Sequence, residues 1–268
     1  MVLPILGDAS LGFCFRVYGD RARAIGLGGR SMPAPGNLGA AQRLVPGHVL
    51  DELPTMSSNL NPDKALIFRI THRDNLPWIL DHGLHARNGA IFDPHYRNIG
   101  NLDLIDKRSR RTVPVPPDGT LSDYVPFYFT PFSIMMFNIR TGYGSVTRVP
   151  DDEIVILVSS LHHVAAKGVR FVFTNQHAYP RMAEYFTDLA DLHRVDWPLL
   201  QSHDFKHDPD DPGKKERYQA EALIWKHVPL DALLAVCCST EAVGRQIRTE
   251  LDQRGLALRN VVQPRWYF

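Results

Sequence analysis

Cysteine is scarce. Cys14, Cys237 and Cys238 are the only three in 268 residues. They offer no metal-ligand spacing, and neighbours such as Cys237 and Cys238 rarely bridge each other, so the usage points to a reduced, cytoplasmic setting. Excess charge of one sign is missing too. The formal net charge is +1, so the molecule is no polycation, and any nucleic-acid contact must come from a local basic patch. No apolar run approaches the ~18 residues of a membrane span. The start Met1-Val2-Leu3-Pro4 lacks the basic region and apolar core of a signal peptide. A phosphate-cradling glycine loop, a nucleophile elbow and a Rossmann fingerprint are all absent. His162-His163 and His203 with His207 have no Cys or Glu at a familiar zinc spacing, and no metal site is expected.

What is present suits a globular protein: 44% hydrophobic and 22% charged residues. Residues 1 to 55 stand apart. They are rich in Gly, Ala, Pro and Arg, with breakers at Gly26-Leu27-Gly28-Gly29 and Met32-Pro33-Ala34-Pro35-Gly36. We read them as a disordered extension, with Met56 as a natural start; a regulatory arm is the alternative. Residues 56 to 268 read as one domain, expected to be monomeric. Ala65 to Thr71 is a strand. Asn75 to His82 is a helix capped by Asp74 or Asn75 and stopped by Gly83. Ile91 to Val113 is irregular and polar, and holds the basic run Lys107-Arg108-Ser109-Arg110-Arg111. Further strands are expected at Tyr124 to Thr130, Glu153 to Ser159, Arg170 to Thr174, Tyr218 to Lys226 and Ala232 to Cys238. Further helices are expected at Ser133 to Ile139, Pro180 to Leu192 and Thr240 to Gly255, the last capped by Thr240. Strands scattered among short helices and long loops imply an α+β domain with antiparallel or mixed sheets.

Within this frame a few side chains stand out. Glu221 sits at the mouth of the apolar run Ala222-Leu223-Ile224-Trp225. A carboxylate there is either solvated at a strand edge or held in a site. In a site it would stabilise a cationic transition state by preorganised electrostatics, as at an oxocarbenium-like centre. The basic run is either a solvated loop or a binder of phosphate, where arginine's fork matches phosphate oxygens; with Arg97, Arg140 and Arg148 it could also line a nucleic-acid groove. Composition does not choose. The aromatics from Tyr124 to Phe129 are either core or a stacking surface. His72, after the first strand, either caps the following helix or bonds a substrate ribose.

Taken in order, RITHRDNLPWILDHGL from Arg69, the basic loop, DYVPFYFTP from Asp123 with SIMM after it, FTNQHA from Phe173, AEALIWKHVP from Ala220 and the VCC ending at Cys238 resemble the DarT family. The likeness runs from about Lys64 to the C-terminus. It implies an ADP-ribosyltransferase fold with split sheets, related to the poly-ADP-ribose polymerase catalytic domain. It implies NAD as co-substrate, and as acceptor a base of single-stranded DNA, thymine in the best-matching branch. It also implies a toxin paired with a macrodomain antitoxin of the DarG type. Residue by residue, Glu221 falls on the family's catalytic glutamate, and Arg110 best matches its essential basic-loop arginine, with Arg108 and Arg111 close by. Arg69, Ile70, Thr71, His72, Asn75 and Trp78, with Tyr128 and Arg108, fall to NAD binding. Arg111, Asn175, His177 and Tyr179 fall to the DNA. One position departs: the family reads His-x-Thr-His at the first strand, and here its first histidine is Arg69, so that Arg69 or His72 must grip the ribose. The competing readings are a transferase of this fold acting on guanine, RNA or protein, and a nucleic-acid-binding module with a weak site.

Overall fold

A computed structural model describes residues 59–268. The expectation for residues 1 to 55 lies outside them. The described strands are β1 (Leu66–His72), β2 (Leu84–His85), β3 (Tyr124–Tyr128), β4 (Ile154–Ser160), β5 (Phe171–Thr174), β6 (Tyr185–Phe186), β7 (Glu221–Trp225), β8 (His227–Val228), β9 (Ala235–Cys238) and β10 (Arg259–Val262). Between them run α1 (Leu76–His82), α2 (Leu102–Ser109), α3 (Ile134–Thr141), α4 (Leu161–Ala166), α5 (Trp197–Ser202), α6 (Lys214–Arg217) and α7 (Glu241–Gln253). Eight strands form one mixed sheet in the order β10-β9-β4-β1-β3-β7-β5-β6, and β2 pairs β8 beside it.

Local sequence explains most of these elements. Every residue of β4 is buried. It lies between β1 and β9, and a strand covered on both faces reads as a continuous apolar run. The sheet's parallel pair is β9 with β10. Such a pair needs a crossover, and α7 supplies it. The Thr240 side chain accepts the Val243 N–H at its start. Val243, Ile247 and Leu251, spaced by four, face the sheet. Gly244 belongs to the same buried face, where an added Cβ would meet Val262 Cγ2 at 2.8 Å. α1 stops at Gly83, whose φ of +76° belongs to the region glycine enters without a Cβ penalty.

The sheet is split where it matters. β1 and β3 share a single register pair, Phe68 with Tyr128, whereas β1 pairs with β4 along its whole length. The halves β10-β9-β4-β1 and β3-β7-β5-β6 are therefore joined by little pairing at this seam. Glu221 opens β7 and stands directly across from Tyr128. A second, smaller apolar cluster, Val113, Leu121, Tyr124, Val172, Ala178 and Leu223, packs apart from the main core.

Three expectations need correction. The irregular stretch 91–113 contains α2, capped by Asn101, whose side chain accepts from Leu104 N, with Asp103 in its first turn and Lys107 and Arg108 in its last; those charges match the helix dipole. The helix expected from Pro180 to Leu192 is instead a loop, the short strand β6, and a 3-10 turn from Leu189 to Arg194 capped by Asp188. Pairing of Tyr185 with Thr174 on β5 overrides the weak helical pattern. Tyr218 does not begin a strand; it ends α6, and β7 starts at Glu221.

Candidate active site

Glu221 is held, not solvated: its side chain is 1% exposed. Its Oε1 accepts the backbone N–H of Ala178 at 3.0 Å and Arg108 Nη1 at 3.1 Å. Arg108 Nη2 reaches Oε2 at 2.9 Å, an ion-pair contact rather than an aligned hydrogen bond. Burial opposes the charge of Glu221, but Arg108, His177 and the Ala178 N–H outweigh it and hold the carboxyl below its ordinary range. For Arg108 burial likewise works against the cation and Glu221 prevails, raising its pKa. Such a pair must be well made to persist in a low-dielectric site.

Other groups close around it. His177 Nε2 lies 3.7 Å from Glu221 Oε1. Burial lowers the pKa of His177, against the pull of Glu221, and so favours the neutral ring. Burial, then the nearby Glu221, raises the Tyr128 phenol, whose O–H points to Met135 Sδ at 3.9 Å. Arg69 crosses the seam: Nη1 donates to the Pro126 carbonyl of β3 at 2.9 Å, while its Nε is buried without a partner.

Arg110 is not part of this cluster. It caps the C-terminal end of α2, is 79% exposed and pairs with Asp106 at 2.6 Å. Of the basic run, it is Arg108, two residues earlier, that contacts Glu221. Arg111 donates Nη2 to the Pro180 carbonyl at 3.2 Å, with a buried, unpartnered Nε.

Ile70 is in the main core. Thr71 and Asn75 are structural partners: Asn75 Nδ2 donates to Thr71 Oγ1 and to the Arg97 carbonyl, both at 2.9 Å, and Asn75 Oδ1 accepts the Arg97 N–H at 2.8 Å. His72 caps the turn after β1, its Nδ1 accepting Asp74 N at 3.1 Å, and its Nε2 meets Glu153 at 3.1 Å. Both ring nitrogens are thus engaged, away from Glu221. Trp78 stacks on His82 with centroids 4.5 Å apart and lies edge-on to His85, in a separate aromatic group. Asn175 is paired with Glu184 at 2.8 Å, and Tyr179 lies 6.5 Å from the His177 ring; both sit on the loop that delivers His177 and Ala178. The Ala178 N–H went unforeseen, since a backbone donor leaves no mark in residue type. Among the described residues, no group of three or more His, Cys, Asp or Glu is placed to hold a metal.

A sheet split at β1/β3, with a buried glutamate opening the strand beside the seam and a guanidinium across from it, fits the class of ADP-ribosyltransferases. Comparison with known proteins narrows this. Residues 68–268 match the family model "ssDNA thymidine ADP-ribosyltransferase, DarT". A DNA ADP-ribosyl transferase of Escherichia coli O127:H6 (strain E2348/69 / EPEC) is 54% identical over 212 residues, covering 79% of this chain and 97% of that protein. The solved structure of Thermus sp. 2.9 DarT in complex with ADP-ribosylated ssDNA superposes with a TM-score of 0.71 at 33% identity, over 77% of this chain and 98% of that one. The same protein in complex with NAD+ gives 0.69 at 33% identity, over 77% and 99%. The chain belongs to the DarT family.

Proposed function

We propose that this protein breaks the nicotinamide–ribose bond of NAD and transfers ADP-ribose to a thymine of single-stranded DNA, with Glu221 and Arg108 as the catalytic pair. The observation that carries the proposal is the buried Glu221–Arg108 contact beside the seam. Nicotinamide leaves with the bonding electrons, and the anomeric carbon gains cationic character. Glu221, kept ionised, orients the ribose and stabilises that charge at no cost in reorganisation. The ring imide nitrogen of thymine attacks the same carbon and must lose its proton. Neutral His177 beside Glu221 accepts it. Arg108, which stays charged, stabilises the deprotonated base. Arg69 and Tyr128 at the seam face the donor, while Thr71, His72 and Asn75 hold the donor strand and the following segment in place. Arg111, Asn175 and Tyr179 belong to the side where the DNA arrives. Unpaired DNA is preferred because extracting a base from a duplex costs a few kcal/mol.

The pairing with a macrodomain antitoxin that the family resemblance implies supports a toxin held in check by a partner that removes the adduct. The described residues include no helix long and apolar enough to cross a membrane. The test offers labelled NAD with single-stranded DNA, duplex DNA, RNA and cell protein side by side. Label mainly on single-stranded DNA, with a mass gain of one ADP-ribose on thymine, is expected. Label mainly on RNA or protein overturns the acceptor, and no transfer to any of them overturns the activity.

A further inference from the structure

We propose that Tyr185 is a positioning residue for Glu221, acting through the backbone of Ala178. The inference rests on the catalytic role of Glu221 given above. Of the groups on that carboxylate, Arg108 is a side chain that can turn toward substrate. The Ala178 N–H cannot; its direction is fixed by the peptide chain, so it sets the carboxylate's rotation before and after NAD binds.

What fixes Ala178 is a set of clamps on the loop between β5 and β6. The Tyr185 O–H donates to the Ala178 carbonyl at 2.5 Å. His177 N–H donates to the Glu216 carbonyl at 2.8 Å, and Thr174 Oγ1 to the Gln176 carbonyl at 2.6 Å. Arg111 holds the Pro180 carbonyl. The 176–177 peptide is therefore pinned through the Gln176 carbonyl and the His177 N–H, and the 178–179 peptide by Tyr185, so the 177–178 peptide that carries the Ala178 N–H lies between two held planes. Ala178 itself is fully buried in the smaller apolar cluster, against which Tyr185 packs. Tyr185 reaches it from β6, an edge strand held to β5 by two register pairs. The ring thus keeps its packing whether or not the hydroxyl is present, and the phenol oxygen alone controls the Ala178 carbonyl.

Tyr185→Phe removes that hydrogen bond together with the phenol's contact to Arg111. The full chain is assayed with NAD and a single-stranded oligonucleotide, and kcat, KM for NAD, Tm and the pH profile of kcat are measured. We expect kcat to fall about tenfold, the factor of one modest hydrogen bond, with KM for NAD within about twofold and Tm nearly unchanged. The acid limb of kcat should also move to higher pH, because a loosened Ala178 N–H supports the ionised carboxylate less. The groups facing Glu221 that share this titration are Arg108 from α2, His177 from the loop, Tyr128 from β3 and Tyr185 itself from β6. Wild-type kcat in Tyr185→Phe overturns the proposal. So does a loss of kcat that tracks a large fall in Tm with an unmoved pH profile, the signature of a merely structural tyrosine. A fully active, folded Glu221→Gln protein would instead overturn the catalytic role beneath it, whatever Tyr185→Phe shows.

Discussion

Replacing Arg108 by alanine removes the counter-charge of a carboxylate that is 1% exposed. Breaking a buried pair from one side costs about 3–5 kcal/mol, because the other charge stays buried. Two features favour the lower end: the Ala178 N–H remains on Oε1, and the missing side chain admits water. A loss of ~3 kcal/mol lowers Tm by roughly 6–12 °C in a domain of this size. The titration of Glu221 moves as well. In the intact protein burial raises its pKa, but Arg108, His177 and Ala178 outweigh it. A depressed carboxyl contributes stability that is present above its unfolded pKa and is lost as pH falls through the folded one. Without Arg108 the burial effect gains, the carboxyl titrates higher, and the acid limb of activity moves up in pH. Arg110→Ala is the contrast. Its ion pair with Asp106 is exposed at both ends, so its loss amounts to about 0.3–0.5 kcal/mol, or roughly 1–2 °C. The assay is transfer of labelled ADP-ribose to a single-stranded oligonucleotide, with thermal melting alongside. Arg108→Ala should lose at least ~100-fold in rate, and Arg110→Ala no more than about twofold. Arg108→Lys should recover stability better than rate, since lysine restores charge without the fork. An inactive Arg110→Ala beside a near-normal Arg108→Ala would refute the placement of α2 over Glu221.

Glu221→Gln should fold yet lose transfer, and its Tm should drop by several degrees because Arg108 keeps a buried charge without its counterion; melting and oligonucleotide labelling check both halves. Asp123, held by Lys226, Thr120 and Asn88 against the opposing effect of burial, titrates at about 2, so its share of stability should vanish as pH falls from ~4 to ~2. Asp123→Asn should therefore cost about 1–2 kcal/mol at pH 7, after allowing for its partial exposure, and almost nothing at pH 2, as followed by urea unfolding at both. Deleting residues 1 to 55 should leave Tm and turnover of the remaining chain nearly unchanged, since the E. coli relative is matched over 97% of its length by 79% of this chain; a large loss of either would make the segment structural.

Much of this protein could be read from sequence because the signals are local. The buried run at β4, the strand-turn-helix of β1 and α1 with its glycine stop, and the Thr240 cap of α7 each follow from neighbouring residues. Glu221 was marked by one acid at the head of an apolar strand, and the ordered motifs carried the family. The arginine was different. Residues 108 and 110 are two apart on a helix, about 200° around its axis, so which of them meets Glu221 depends on how α2 lies on the sheet. That helix only half-buries Leu104, Ile105 and Arg108 and so gave a weak periodic signal of its own. The false helix at 180–192 failed for a related reason, since the pairing of Tyr185 with Thr174 joins residues eleven positions apart across a loop. The seam between β1 and β3, the Ala178 N–H on Glu221 and the tyrosine behind it are likewise products of tertiary structure, because they are made by backbone groups and by contacts between distant segments.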